Sequence, residues 1–320
     1  MITRLGIIGC GRIANRAVKE LQFVKEIEIT AVMNPNRESA VAFASAHGIT
    51  GATDDIGTLA EMIDAVYIAS PHGTHYEYAM ELLTAGIGVL CEKPMAFSRQ
   101  EVIKLYDIAA TQNLVIMEAI KTAYCPGFRK IEKVVSSGVI GEIVDVEAGF
   151  TRLTAIGGRE YADQKYGGAL TEFGSYGMLP VFRFLGTDYK GVHFLSRRTE
   201  EVDGYTKAVL EYDDRFASVK AGLSAKSEGQ LLISGTKGYL LAPSPWWLTR
   251  YFEVRYEDPG IIDRYETEFD GDGLRYEFTE FARRICNGEP GPAKERDEAI
   301  ARADIFERFL AYRKKDSGKG

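Results

Sequence analysis

The feature that most restricts the fold of this chain is an alternation, from residue 4 to about 118, of short apolar runs with amphipathic stretches. The segments 4–8, 27–33, 65–69, 88–90 and 114–117 are short and nearly all apolar. That is the signature of strands buried on both faces, as in a parallel sheet covered by helices. Between them, helical patterns cover 13–24, 37–47, 75–85 and 98–111. The last opens on Ser98-Arg99-Gln100-Glu101, a capping-box sequence that predicts two satisfied backbone donors at a helix start. Strand, helix, strand at this spacing predicts right-handed βαβ units and a doubly wound sheet.

Beyond residue 120 the texture changes. A helix is expected over 126–137, a strand over 143–151 and a helix over 172–185. Strands follow within 189–269, including 207–212, 216–223 and 231–234, separated by turn signals such as Asp213-Asp214 and Thr236-Lys237-Gly238. That spacing predicts an open, largely antiparallel or mixed sheet with helices on one face. Two helical patterns, 274–286 and 293–313, end the chain. The expected organisation is a first domain over 1–120 with a doubly wound parallel (Rossmann) sheet, and a second over 121–320. The helix near 293–313 is able to pack back on the first domain. At 320 residues the chain is long enough for two such cores.

Gly9-Cys10-Gly11-Arg12-Ile13-Ala14 fits G-x-G-x-x-A at the first strand–helix junction, the context in which this pattern binds a dinucleotide. Gly9 allows the tight turn, Gly11 lets a pyrophosphate approach the backbone, and Ala14 allows close helix–strand contact. The helix start through Arg12 and Ile13 presents free N–H groups and partial positive charge to phosphates. An acid at the end of the second strand would bind a ribose 2′-hydroxyl. This chain has Met33-Asn34-Pro35-Asn36-Arg37 instead. Asn34 suits either a hydroxyl or a phosphate, and Arg37 suits a 2′-phosphate. The balance favours NADP, with NAD as the alternative and a merely solvated Arg37 as the plain reading.

Other strand ends carry chemistry toward the same expected sheet edge: Ser70, Pro71 and His75 after the strand at 65–69, Glu92 and Lys93 after the one at 88–90, and Glu118 at the end of the one at 114–117. Lys93 precedes Pro94, which biases it toward an extended backbone. A lysine there suits a hydrogen bond to a substrate oxygen. Its competing reading is a structural ion pair with Glu92 or Glu118.

In this order, Gly9 to Ala14, Pro71 to His75, Glu92-Lys93-Pro94 and the stretch 167–176 (Gly-Gly-Ala-Leu-Thr-Glu-Phe-Gly-Ser-Tyr) resemble the glucose–fructose oxidoreductase/inositol dehydrogenase (Gfo/Idh/MocA) family. The likeness continues through 235–238 and the helix start Gly273-Leu274-Arg275-Tyr276-Glu277. In detail it looks most like the branch holding dimeric dihydrodiol dehydrogenase and NADP-dependent D-xylose dehydrogenase. The resemblance implies hydride transfer between nicotinamide and a sugar, polyol or dihydrodiol. Tyr176 would exchange the proton on the substrate oxygen, and Lys93 would lower its pKa from the tyrosine reference near ~10. It also implies that His75 bounds the nicotinamide or its ribose. Glu172, four residues before Tyr176 and on its helix face, stands where the family usually has Asp. Lys121, in 120–124, lies in a stretch that departs from the family and lines the expected substrate pocket. Family subunits commonly pair through the open sheet, so a homodimer or homotetramer is expected. Trp246-Trp247 reads as core or interface ahead of a sugar-stacking platform.

Net charge separates the remaining classes. With 39 basic and 46 acidic residues the chain carries −7, which argues against non-specific binding to nucleic acid or an anionic membrane. No apolar run approaches the ~20 residues of a membrane span, and the N-terminal run passes directly into the glycine turn, unlike a signal peptide. Cys10, Cys91, Cys125 and Cys286 have no paired spacing and read as reduced thiols of a cytoplasmic protein. Four histidines without such cysteine pairs give no metal set. Two alternatives to a dehydrogenase stand: an epimerase or lyase of the same family that keeps its cofactor bound, and a dinucleotide-binding sensor without catalysis.

Overall fold

In the computed structural model, which describes residues 2–317 and side chains through residue 315, the apolar runs of the first half are parallel strands. These are β1 (Thr3–Ile8), β2 (Ile27–Met33), β3 (Gly51–Thr53), β4 (Ala65–Ile68), β5 (Gly88–Glu92) and β6 (Ile116–Ala119), in the order β3-β2-β1-β4-β5-β6. Helices α1 (Arg12–Leu21), α2 (Arg37–His47), α3 (Ile56–Met62), α4 (His75–Thr84) and α5 (Arg99–Thr111) alternate with them. Leu5, Ile7 and Ile8 of β1 and every residue of β4 are buried, as strands covered on both faces must be. β5 and β6 each run two residues past the apolar run that announced them, so Glu92 and Glu118 are strand residues. Ser98 is the N-cap of α5 in an extended conformation, but its side chain makes no capping hydrogen bond. The capping box expected there is therefore corrected. Asn36 and Asp55 do cap, accepting from the N–H of Ser39 at 3.0 Å and of Thr58 at 2.7 Å.

The second half begins with α6 (Pro126–Ser136), β7 (Ile143–Thr151), α7 (Arg159–Ala162) and α8 (Ala169–Leu185). Strands β8 (Gly191–Thr199), β9 (Val202–Glu211), β10 (Phe216–Gly222), β11 (Leu231–Gly235), β12 (Tyr239–Ala242), β13 (Tyr251–Arg255) and β14 (Ile262–Glu266) follow. They join β7 in an eight-stranded sheet of order β14-β13-β12-β11-β7-β10-β9-β8. Only β7 and β10 pair in parallel, so the sheet is mixed and mostly antiparallel. Alternation is clear in β9, where Ala208 and Leu210 are buried while Lys207 and Val209 are half-exposed. Helix α8 packs on β7, β9 and β10.

The chain divides into two units. One holds the residues through Lys121 with Gly271–Ala303; the other holds Thr122–Asp270 with the residues from Asp304 onward. The first break coincides with the end of the alternation. A continuous second domain over 121–320 is corrected, because α9 (Leu274–Asn287) and the first part of α10 (Ala293–Ser317) belong to the first unit. The reason is packing. Phe278 meets the Tyr67 ring edge-on at 5.0 Å, and Ala299 and Ala303 join the core built from Ile68, Val89, Cys91, Leu105 and Ile116. From Asp304 onward α10 serves the second unit: Phe309 packs on Phe194, and Arg313 donates to the carbonyl of Gly167 at 2.7 Å. Among the described residues no helix is long and apolar enough to cross a membrane.

Candidate active site

In the first unit the strand register sets the site. Ile8 pairs with Met33 on one side and Ile68 on the other; Ile68 pairs with Cys91, and Cys91 with Glu118. These five residues form one row across the sheet. The next residues in each strand direction are therefore neighbours along one edge: Gly9, Asn34, Ala69-Ser70, Glu92-Lys93 and Ala119 to Lys121. Connections leave in opposite directions from β1 and β4, which opens a crevice at this edge.

Gly9 has φ +104°, and a Cβ there would lie 2.6 Å from the carbonyl oxygen of Ala69 and 3.1 Å from the nitrogen of Ser70. Only glycine fits. Gly11 is the N-cap of α1, and a Cβ there would meet no atom within 4 Å. It faces open space directly before a helix start that has no acidic residue in its first turn and no side-chain cap. Ala14 is fully buried, while Arg12 is exposed and Ile13 half-buried. A helix start without a side-chain cap, its positive end and the open space at Gly11 together fit a pyrophosphate.

At the β2 tip the Asn34 side chain accepts the N–H of Asn36 at 2.9 Å, which shapes the turn into α2. Arg37 is largely exposed and pairs with Asp54 at 3.1 Å. On the other side of β1, the Ser70 hydroxyl accepts from Thr74 at 2.8 Å and the Pro71 carbonyl accepts the Thr74 N–H at 3.0 Å. His75 is fully buried, with Nδ1 2.7 Å from the Pro94 carbonyl and Nε2 2.9 Å from the Ser70 carbonyl. Burial pushes its pKa down, against the pull of the two carbonyls and of Glu92. The imidazole thus sits between the loop after β4 and the loop after β5, and in its neutral form it donates its one N–H to one of these two carbonyls.

Lys93 and Glu92 are buried at the end of β5, and the Lys93–Pro94 peptide is cis. The Glu92 carboxylate accepts from the Tyr67 hydroxyl at 2.6 Å and from the Lys93 N–H at 3.2 Å. Glu118 accepts the Met95 N–H at 3.0 Å on one oxygen and Arg302 at 2.7 Å on the other. Its carboxylate is thereby tied to α10 and to the turn that carries Lys93. Lys121 is buried, and its ammonium donates to the carbonyl of Asp272.

In the second unit Tyr176 is half-buried on α8, one turn after Glu172, whose carboxylate takes Arg159 at 2.9 Å. The start of α8 is anchored by Asp203, which accepts the Leu170 N–H at 2.8 Å and the Thr206 hydroxyl at 2.9 Å. Phe150 lies against Tyr176 at 5.1 Å and is stacked between Phe173 at 4.3 Å and Trp247 at 3.7 Å. Trp246 is core, as expected, with its indole N–H on the Gly149 carbonyl at 2.9 Å. Its neighbour Trp247 instead joins the aromatic wall beside Tyr176. Phe150 and Phe173 gave no sign of this in sequence, since stacking across a strand, a helix and a 3-10 turn has no local pattern. Glu277 was visible only as part of a helix start. The overlooked signal is its position on the apolar stripe of α9, with Leu274, Phe278 and Phe281. Among the described residues no group of three or more metal-binding side chains occurs.

Comparison with known proteins agrees with this geometry. The model described as "Oxidoreductase family, NAD-binding Rossmann fold" matches residues 3–120, and "GFO/IDH/MocA C-terminal domain" matches residues 128–241. Among similar proteins, scyllo-inositol 2-dehydrogenase (NADP(+)) IolU of Bacillus subtilis is 28% identical over 88% of each chain. The human trans-1,2-dihydrobenzene-1,2-diol dehydrogenase is 28% identical over 96% of each. A solved structure of KijD10, a 3-ketoreductase from Actinomadura kijaniata with TDP-benzene and NADP in an open conformation, superposes with TM-score 0.80 at 25% identity over 95% of each chain. Levoglucosan dehydrogenase gives TM-score 0.84 at 18% identity over 98% of each, a likeness of fold. Two models of one family span well over half of the sequence, and the chain belongs to the Gfo/Idh/MocA oxidoreductase family.

Proposed function

We propose that the protein is an NAD(P)-dependent oxidoreductase acting on the hydroxyl/carbonyl pair of a sugar, polyol or dihydrodiol. The observation that carries this reading is the strand register, which brings the Gly9–Gly11 turn, the α1 N-terminus and Lys93 to one sheet edge. The names of the similar proteins, dehydrogenases of inositol and of dihydrobenzenediol, support the substrate class. When bound, the nicotinamide cofactor supplies or accepts the hydride. Gly9, Gly11 and the N–H groups at Arg12, Ile13 and Ala14 hold its pyrophosphate, with Asn34, Ser70 and Pro71 flanking. His75 and Glu118 serve by fixing the loops around Lys93.

Lys93 donates to the substrate oxygen and stabilises negative charge as it develops there. Tyr176 exchanges the proton with that oxygen. In the second unit Glu172 with Arg159, and the Trp247–Phe150 wall, orient the substrate beside Tyr176; Lys121 is a substrate-binding residue of the first unit. NADP is favoured over NAD because the β2 tip has no acid. Arg37 is exposed, and its surface pair with Asp54 is worth at most about 1 kcal/mol, so a 2′-phosphate displaces it at little cost. We also infer a homodimer or homotetramer formed through the sheet face opposite α8, where Leu195 and Phe216 lie exposed beside Lys207 and Val209.

Initial rates with NADP+ on a panel of aldoses, inositols and dihydrodiols test the reading. Turnover that falls at least ~100-fold in both Lys93→Met and Tyr176→Phe, with NADPH binding retained, is the expected result. Turnover unaffected by either substitution refutes the assigned roles. Elution of the purified protein as a monomer on size exclusion refutes the oligomer.

A further inference from the structure

Glu277, in the first turn of α9, is fully buried, and neither of its carboxyl oxygens has a hydrogen-bond partner among the described residues. The charged groups facing it are Glu92 and Lys93 at the end of β5 and Lys121 after β6. Glu92 is already committed to the Tyr67 hydroxyl and the Lys93 N–H. Tyr67 of β4 touches α9 through Phe278. Helix α1, which packs on α9, presents Glu20 and Arg16, held by Arg275 at 2.9 Å and Asp272 at 2.7 Å. The β1 residues Leu5 to Ile8 bring no charge. An ionised carboxylate without a single hydrogen bond in such a place is too costly to persist.

We propose that Glu277 is a positioning residue for Lys93: it stays a neutral acid, so Lys93 and Lys121 share the one negative charge of Glu92 and a net positive charge remains at the strand ends. This rests on the reading of Lys93 as the group that stabilises charge on the substrate oxygen. Burial pushes the Glu277 carboxyl well above the usual carboxylate range and the Glu92 charge adds to it, against the pull of Lys121 and Lys93. Ionising Glu277 would cancel the surplus positive charge, so the reducing direction weakens at alkaline pH.

The test is infrared spectroscopy of the whole protein at pH 7, labelled with 13C-carboxyl glutamate, alongside pH profiles of kcat/KM. A protonated-carboxyl stretch that shifts with the label and disappears in Glu277→Gln is expected. In that variant the alkaline fall of kcat/KM begins at higher pH, so it exceeds wild type by about tenfold where wild type has lost a decade. A spectrum without that stretch at pH 7, or superimposable pH profiles, overturns the proposal. Should Glu277→Gln fail to fold, the labelled wild-type spectrum, titrated from pH 6 to 10, decides alone. Undiminished turnover in Lys93→Met removes the positioning role by refuting the reading of Lys93, while the infrared band still reports the proton.

Discussion

Replacing Arg302 with methionine keeps most of the side-chain volume and removes the cation that balances Glu118. Arg302 reaches one Glu118 oxygen with Nε at 2.8 Å and Nη2 at 2.7 Å, and both side chains are only 5% exposed. Its Nη1 lies 3.8 Å from Glu298, which keeps Lys294 at 4.0 Å. Burial opposes the Arg302 charge, but Glu118 and Glu298 together hold the guanidinium charged. Without it, Glu118 is left as a buried carboxylate whose remaining partner is the Met95 N–H at 3.0 Å. Breaking one side of such a pair costs about 3–5 kcal/mol. For a unit of this size that lowers the melting temperature by about 10 °C. Met95 follows the Lys93–Pro94 peptide, so the substitution also disturbs the segment that carries Lys93. Urea and thermal melts of wild type, Arg302→Met, Glu118→Gln and the double variant form a double-mutant cycle. The double variant, with no charge to strand, should recover at least ~2 kcal/mol relative to the summed single losses. Single losses under about 1 kcal/mol that simply add would refute the argument that this pair braces the Lys93 loop.

Gly9→Ala and Gly11→Ala should separate stability from binding. The first forces a side chain into a positive-φ site against the Ala69 carbonyl, and should lower stability by about 1–3 kcal/mol in thermal melts. The second meets no protein atom, so stability should fall only by the loss of an N-cap glycine, about 1 kcal/mol or less, while NADPH affinity falls more than tenfold by fluorescence titration. Asp203 is pushed up to about 6 by burial, despite the Leu170 N–H, Arg313 and Thr206. A carboxyl raised above its unfolded value contributes stability that is full below about pH 4 and is lost as pH rises through about 6. Asp203→Asn should remove roughly 3 kcal/mol of that pH dependence between pH 4 and 7, measured by urea unfolding at each pH. An unchanged slope would contradict the neutral form of Asp203 at low pH. Arg37→Ala should weaken NADPH more than NADH by about tenfold in parallel titrations; equal effects would remove its 2′-phosphate role.

The parallel sheet was legible because strands buried on both faces need near-continuous apolar runs, and β2 and α2 emerged with the ends that the pattern gave. β3 was not, since Gly51–Thr53 is too short and too small to stand out from a loop. The strand-end residues converge as their positions implied, because parallel register carries sequence position into space. What they touch could not be read in the same way. Glu118 and His75 share that sheet edge, yet Arg302 takes a Glu118 oxygen and two backbone carbonyls flank the His75 ring. Those partners lie 184 residues away for Glu118 and across two loops for His75, beyond any local periodicity. The return of α9 to the first unit was hidden for the same reason: an apolar helix face says that it is buried, not against what. Ser98 shows the reverse, a sequence pattern whose side-chain bond the packing of α5 does not use.

The most direct test of the account is a fluorescence titration of the purified protein with NADPH and with NADH. The Gly9–Gly11 turn, the open space before α1 and the acid-free β2 tip predict saturable binding of both, with NADPH tighter. Failure of either nucleotide to bind would contradict the assignment of the first unit as a dinucleotide site, and with it the proposed oxidoreductase.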